Sequence, residues 1–134
     1  MTLSPAEQLR RLAAAVREEI APEVSSEYPR TQAFMASVIL QRVAREVELA
    51  DEHRAAEQQD VAALEADLRS ILSEAPPGVR AAASGLETGA VAMLRPLIAE
   101  LYAWDPTDPA ARHALARIRV VLRSDIDRRM EIAR

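Results

Sequence analysis

The stretch Thr31 to Asp51, TQAFMASVILQRVAREVELAD, decides the fold. Ala36, Ile39, Leu40, Val43, Val47 and Ala50 recur at i, i+3, i+4, i+7, i+11 and i+14. That is the spacing of one face of a 3.6-residue helix. Ser37, Gln41, Arg45 and Glu48 fall on the opposite face. Phe34 and Val38 add apolar surface outside the stripe, so this helix is expected to touch neighbours on more than one side.

The same period runs outward in both directions. Toward the N-terminus, Ser4-Pro5-Ala6-Glu7 combines an N-cap serine, a proline at the first helical position and a glutamate at the third. Leu9, Leu12, Val16 and Ile20 follow at helical spacing. Pro22 is expected to stop that helix near Ala21. The connector PEVSSEYP, Pro22 to Pro29, separates it from the central helix.

Toward the C-terminus, no Gly or Pro interrupts Arg30 to Ala75. Residues 51–60, DEHRAAEQQD, are nearly all polar, so a break is expected near Glu52–Ala56. A third helix, about Glu57 to Glu74, carries the stripe Val61, Leu64, Leu68, Ile71, Leu72 and Ala75. Pro76-Pro77-Gly78 ends it. The segment Val79 to Trp104 is helical in period but holds Gly85, Gly89 and Pro96, which predicts a fourth helix kinked near Pro96, or two in tandem. Gly85 and Gly89 share a helix face on which another helix could approach closely. Asp108-Pro109 opens a last helix to about Ala133, with the stripe Ala111, Leu115, Ile118, Leu122, Ile126 and Ala133. Together these predict an all-α, single-domain, up-and-down bundle of four or five helices spanning residues 1–134.

Composition narrows the function classes. The 134 residues include no cysteine, so there is no disulfide framework, thiolate ligand or cysteine nucleophile. That fits a cytoplasmic protein. The first residues show no signal-peptide run, and no window approaches a membrane span. All 17 basic residues are arginine; lysine and asparagine are both missing, the mark of a GC-rich coding sequence. A net charge of −4 argues against non-specific nucleic-acid binding. The charge is uneven, however. Residues 109–134 hold 7 arginines and 3 acids, whereas residues 1–108 hold 10 arginines and 18 acids.

No catalytic constellation stands out. Di-iron bundles need Glu-x-x-His pairs, but Ala50 and Ala110 stand three residues before His53 and His113. Both histidines are expected in solvated positions. HExxH, GxGxxG, GxxxxGK[ST] and GxSxG are all missing. No catalytic, cofactor-binding or metal-ligating residue is therefore assigned, and no metal, membrane or nucleic acid is expected as partner. The candidates that remain form an interaction surface: Phe34 and Val38 on the central helix, Trp104 at a helix end, and Arg112, Arg119 and Arg123 beside the last apolar stripe. Those arginines suit an acidic partner or a phosphorylated ligand. Self-association or a complex with another protein, through helix faces, is the leading expectation. The alternative is a small-molecule-binding bundle, or an enzyme subunit, with a pocket assembled from Tyr28, Arg42 and Glu46.

The strings Ala14-Ala15-Val16-Arg17-Glu18-Glu19-Ile20-Ala21-Pro22-Glu23-Val24 and Val43-Ala44-Arg45-Glu46-Val47-Glu48-Leu49, with Phe34 between them, resemble a group of small uncharacterised bacterial helical proteins. The ending Asp125-Ile126-Asp127-Arg128-Arg129-Met130 is similar too. Ser25 to Pro29 stands where that group carries a glycine-containing turn. Genes of the group often lie beside aminoglycoside/choline-kinase-like phosphotransferases or acyl-CoA dehydrogenases. The resemblance implies an accessory role next to a kinase-like enzyme, and it carries over no catalytic residue.

Overall fold

The computed structural model describes residues 2–134, and among them every regular element is helical. The α-helices are α1 (Pro5–Ala15), α2 (Glu27–Ile71), α3 (Pro77–Ser84), α4 (Leu94–Trp104) and α5 (Pro109–Ala133). The all-α class expected from periodicity is what forms. Contacts group the chain into two compact units. One holds the residues up to Asp51 with Ile132–Arg134, and the other holds Glu52–Glu131.

The first unit is a helical hairpin. Its capping box closes reciprocally: Glu7 N–H donates to Ser4 Oγ at 3.2 Å, and Ser4 N–H donates to the Glu7 carboxylate at 2.8 Å. The Ser4 backbone N–H, with the Ser4 hydroxyl beside it, holds the Glu7 carboxyl below its ordinary pKa. Their contribution is present above the unfolded-state pKa and is lost as pH falls through the folded one. The helix does not run unbroken to Ala21. A π turn at Val16–Ile20 and a 3₁₀ turn at Ala21–Glu23 follow α1, and Ala21 N–H donates to the Val16 carbonyl. The wider turn absorbs one extra residue. It keeps Ala21 on the buried row of Ala6 and Ala13 despite the eight-residue step from Ala13. Arg30 then ties down the connector, donating from Nε to the Val24 carbonyl (2.9 Å) and from Nη2 to the Ser25 carbonyl (3.2 Å).

The break expected near Glu52–Ala56 does not occur. Helix α2 is continuous for 45 residues. Apolar periodicity lapses in residues 51–60, but Glu, Gln, Arg and Ala are strong helix formers, and neither Gly nor Pro intervenes. His53, expected to be solvated, is instead largely covered, with Nε2 3.3 Å from a carboxylate oxygen of Glu131.

The second unit holds the larger core. Val61, Leu64, Leu68 and Leu72 from α2 are buried with Val79 of α3, Leu94, Leu97 and Leu101 of α4, and Ala111, Ala114, Ile118 and Val121 of α5. The stripe expected for the third helix is this row, with Ile71 half-buried beside it. On α5 the stripe rotates toward its C-terminal end. Val121 and Asp125 are buried, whereas Ile126 is exposed. Asp125 holds Arg129 at 3.0 Å, and Arg128 reaches across to Asp60 at 2.7 Å. Arg117 Nε likewise donates to Asp67 at 3.0 Å.

The kink expected near Pro96 is a complete interruption. Two 3₁₀ turns, Gly85–Thr88 and Val91–Met93, separate α3 from α4. Pro96 is the third residue of α4, where its missing N–H has no intrahelical partner to lose. Gly85 and Gly89 therefore do not share a helix face. Gly89 adopts φ +72 at the end of the first turn, close against α2 at Gln58. The Glu57 carboxylate accepts from the free Val91 N–H at 2.8 Å and so caps the second turn.

Candidate interaction surface

The hairpin fully buries only small side chains; Leu9, Val16, Leu40 and Leu49 are half-buried, and other large ones are exposed. Its buried residues, among those described, are Ala6, Ala13, Ala21, Ser37 and Ala44. Ser37 is only 1% exposed, although the spacing placed it on the outer face, and its hydroxyl donates to the Phe34 carbonyl at 2.6 Å. Conversely, Ile39, Val43 and Val47 of the expected stripe are 58%, 38% and 42% exposed. The reason is steric. The buried positions of both helices, Ala6 and Ala13 on α1 and Ser37 and Ala44 on α2, are small, and small residues at a helix contact permit an approach that leaves bulky neighbours outside it.

A single rotational rule orders the rest of the hairpin. In an antiparallel pair, residues displaced in the same sense from the two buried rows lie on the same side of the hairpin. Arg10 and Glu48 are displaced together on one side, and they form an ion pair. Leu9, Leu12 and Val16 on α1 are displaced the other way, as are Ala36, Ile39, Val43, Val47 and Ala50 on α2. The two apolar stripes thus merge into one face, with Leu12 half-exposed upon it. Phe34 and Val38 are also exposed, but Phe34 is nine residues from Val43, about two and a half turns, and so faces the opposite way. The tertiary arrangement thus adds Leu12, Ile39, Val43 and Val47 to the residues singled out from sequence.

The remaining candidates separate. Trp104 is half-buried and packs against the second unit's core, as a plug at the end of α4. Tyr28, Arg42 and Glu46 form no pocket in one chain. All three are exposed on α2, and Tyr28 lies about 21 Å along the axis from Arg42. Arg112, Arg119 and Arg123 are exposed and carry no ion pair among the described residues, unlike Arg117, Arg128 and Arg129 on the same helix. Arg112 and Arg119 line an open cleft of about 540 Å³ together with Tyr102, Pro106, His113 and Leu115. Beside it, the Asp105 carboxyl is held below its ordinary pKa by the Thr107 hydroxyl and backbone N–H, at 2.7 and 2.9 Å. Among the described residues no three His, Asp or Glu side chains converge as a metal site, and no helix is long and apolar enough to cross a membrane.

Fold and surface together define an all-α chain with a well-filled leucine core in one unit and an alanine-packed hairpin with an open aliphatic face in the other. The chain matches no family model, no curated protein and no solved structure.

Proposed function

We propose that this chain is a cytoplasmic, non-catalytic interaction module whose N-terminal hairpin packs its aliphatic face against another protein chain. One observation carries this reading: the fully buried side chains of the hairpin, among the described residues, are alanines and one serine, while Leu12, Ile39, Val43 and Val47 stay between 38% and 58% exposed. Two helices with so small a core bury too little apolar surface to offset their conformational entropy. A second chain supplies what is missing. An accessory role beside a kinase-like enzyme is compatible with this reading.

Hydrogen exchange tests it without knowledge of the partner. In the monomeric chain at high dilution, amides of α1 are expected to exchange at least a hundredfold faster than those of α2 around Leu64 and Leu68, because local opening of a hairpin with so small a core costs little. Equal protection in the monomer would mean that the hairpin is complete by itself, and the reading would fail.

The cleft at Tyr102 supports a second reading, a bundle that binds a small anionic ligand. Two unpaired guanidiniums on one helix face are ready donors for phosphate. Inorganic phosphate at millimolar concentration is then expected to raise the melting temperature by about 3 °C at constant ionic strength, with no rise in Arg119→Ala. Equal melting with phosphate or chloride would eliminate it.

A further inference from the structure

Five of the six stripe residues of α2 are placed symmetrically about one residue; the sixth, Leu40, is half-buried and has Glu46 as its counterpart. Ala36, Ile39, Val43, Val47 and Ala50 stand at −7, −4, 0, +4 and +7 relative to Val43. A two-fold axis through an antiparallel helix pair brings residue 43−k of one chain opposite residue 43+k of the other. It would set Val43 against itself, Ile39 against Val47, and Ala36 against Ala50. Large residues then sit near the axis, and alanines allow close approach at both ends. We propose that a second copy of this chain occupies the face, α2 against α2 antiparallel with Val43 on the two-fold axis, so that two hairpins complete a four-helix bundle.

The dimensions agree. From Ala36 to Ala50 the face runs about 21 Å, and two helices side by side make it about 20 Å wide. Such a footprint presents on the order of 600 Å² of accessible surface per chain, so a pair buries about 1,200 Å², enough for a specific interface. Charge favours a protein over a lipid surface. Residues 1–51 carry 6 arginines and 8 acids, whereas helices that lie on anionic membranes are rich in basic residues.

This inference rests on the hairpin being an interface, and it is tested separately because the natural chain lacks cysteine. Only a residue near a two-fold axis can form a disulfide with its own copy. At micromolar concentration under mild oxidation, Val43→Cys is expected to cross-link to a covalent dimer at least tenfold faster than Gln41→Cys, an exposed position on the other side of the same helix. Val43→Asp is expected to sediment as a folded monomer near 14.7 kDa where the natural chain sediments at twice that mass. Equal cross-linking rates for Val43→Cys and Gln41→Cys would overturn the proposed axis. A natural chain that stays monomeric at tens of micromolar would overturn self-association. In that case fast exchange in α1 would still mark the hairpin as a face for a different protein, and slow exchange would remove the interface altogether.

Discussion

Leu68→Ala is expected to destabilise the second unit by about 3–4 kcal/mol. Leu68 is fully buried, in the row Val61, Leu64, Leu68 and Leu72, against side chains from α3, α4 and α5. Truncation removes the transfer free energy of three carbons and leaves a void that rigid helices fill only in part, and together these cost about 2–5 kcal/mol in well-packed cores. Such a loss is a large fraction of the roughly 5–15 kcal/mol that holds a domain folded. Trp104 is the only tryptophan and packs at the edge of the same cluster, so its fluorescence in a urea titration reports the change directly. Leu12→Ala is the control. Its side chain is half in solvent, and in the monomer its loss should cost less than about 1 kcal/mol. Comparable losses at the two positions would contradict the division into a filled core and an open face. Both titrations belong at one fixed protein concentration, because association adds concentration-dependent stability.

Gly89→Val is expected to cost about 2–3 kcal/mol. Gly89 is the one described residue with positive φ, at +72. A side chain there meets its own carbonyl, which costs roughly 1–2 kcal/mol for an unbranched residue and more for a β-branched one. A Cβ at that position would also stand 3.1 Å from Gln58 Cγ, so the Gln58 side chain must give way slightly, while Gln58 Cα at 3.6 Å is in ordinary contact. Gly85→Ala separates conformation from crowding. Its φ is −61, and an added Cβ would touch only Met93 Cε at 3.4 Å. That change should be neutral or slightly stabilising, since alanine also reduces the freedom of the unfolded chain. If both substitutions prove equally costly, the left-handed turn is not what positions α4.

How legible this chain is depends on which force sets each feature. Capping is local, so Ser4-Pro5-Ala6-Glu7 and Asp108-Pro109 announced the starts of α1 and α5 with no knowledge of the fold. The core row Val61, Leu64, Leu68 and Leu72 was readable as well, because large aliphatic residues at helical spacing have one place to go. Residues 51–60 misled for a definite reason. The lapse of apolar periodicity removes a packing face but leaves helix propensity intact, and α2 passes straight through. Pro96 misled in the opposite direction. The interruption belongs to Gly89 and its left-handed turn, after which proline simply opens the next helix. Tyr28, Arg42 and Glu46 looked like possible partners only while the direction of α2 was unknown.

Local chemistry and periodicity were enough to set the helical class, the starts of α1 and α5 and the identity of the leucine core. They could not set which face of α2 is buried between Thr31 and Asp51; that emerges only when α1 packs against it. Hydrophobicity ranks Ile39, Val43 and Val47 above Ser37 and Ala44, yet within one chain the small pair is buried and the larger three are exposed. Burial here is governed by distance: α1 presents alanines, close approach admits only small residues, and the large aliphatic side chains are left for a surface that a single chain does not supply.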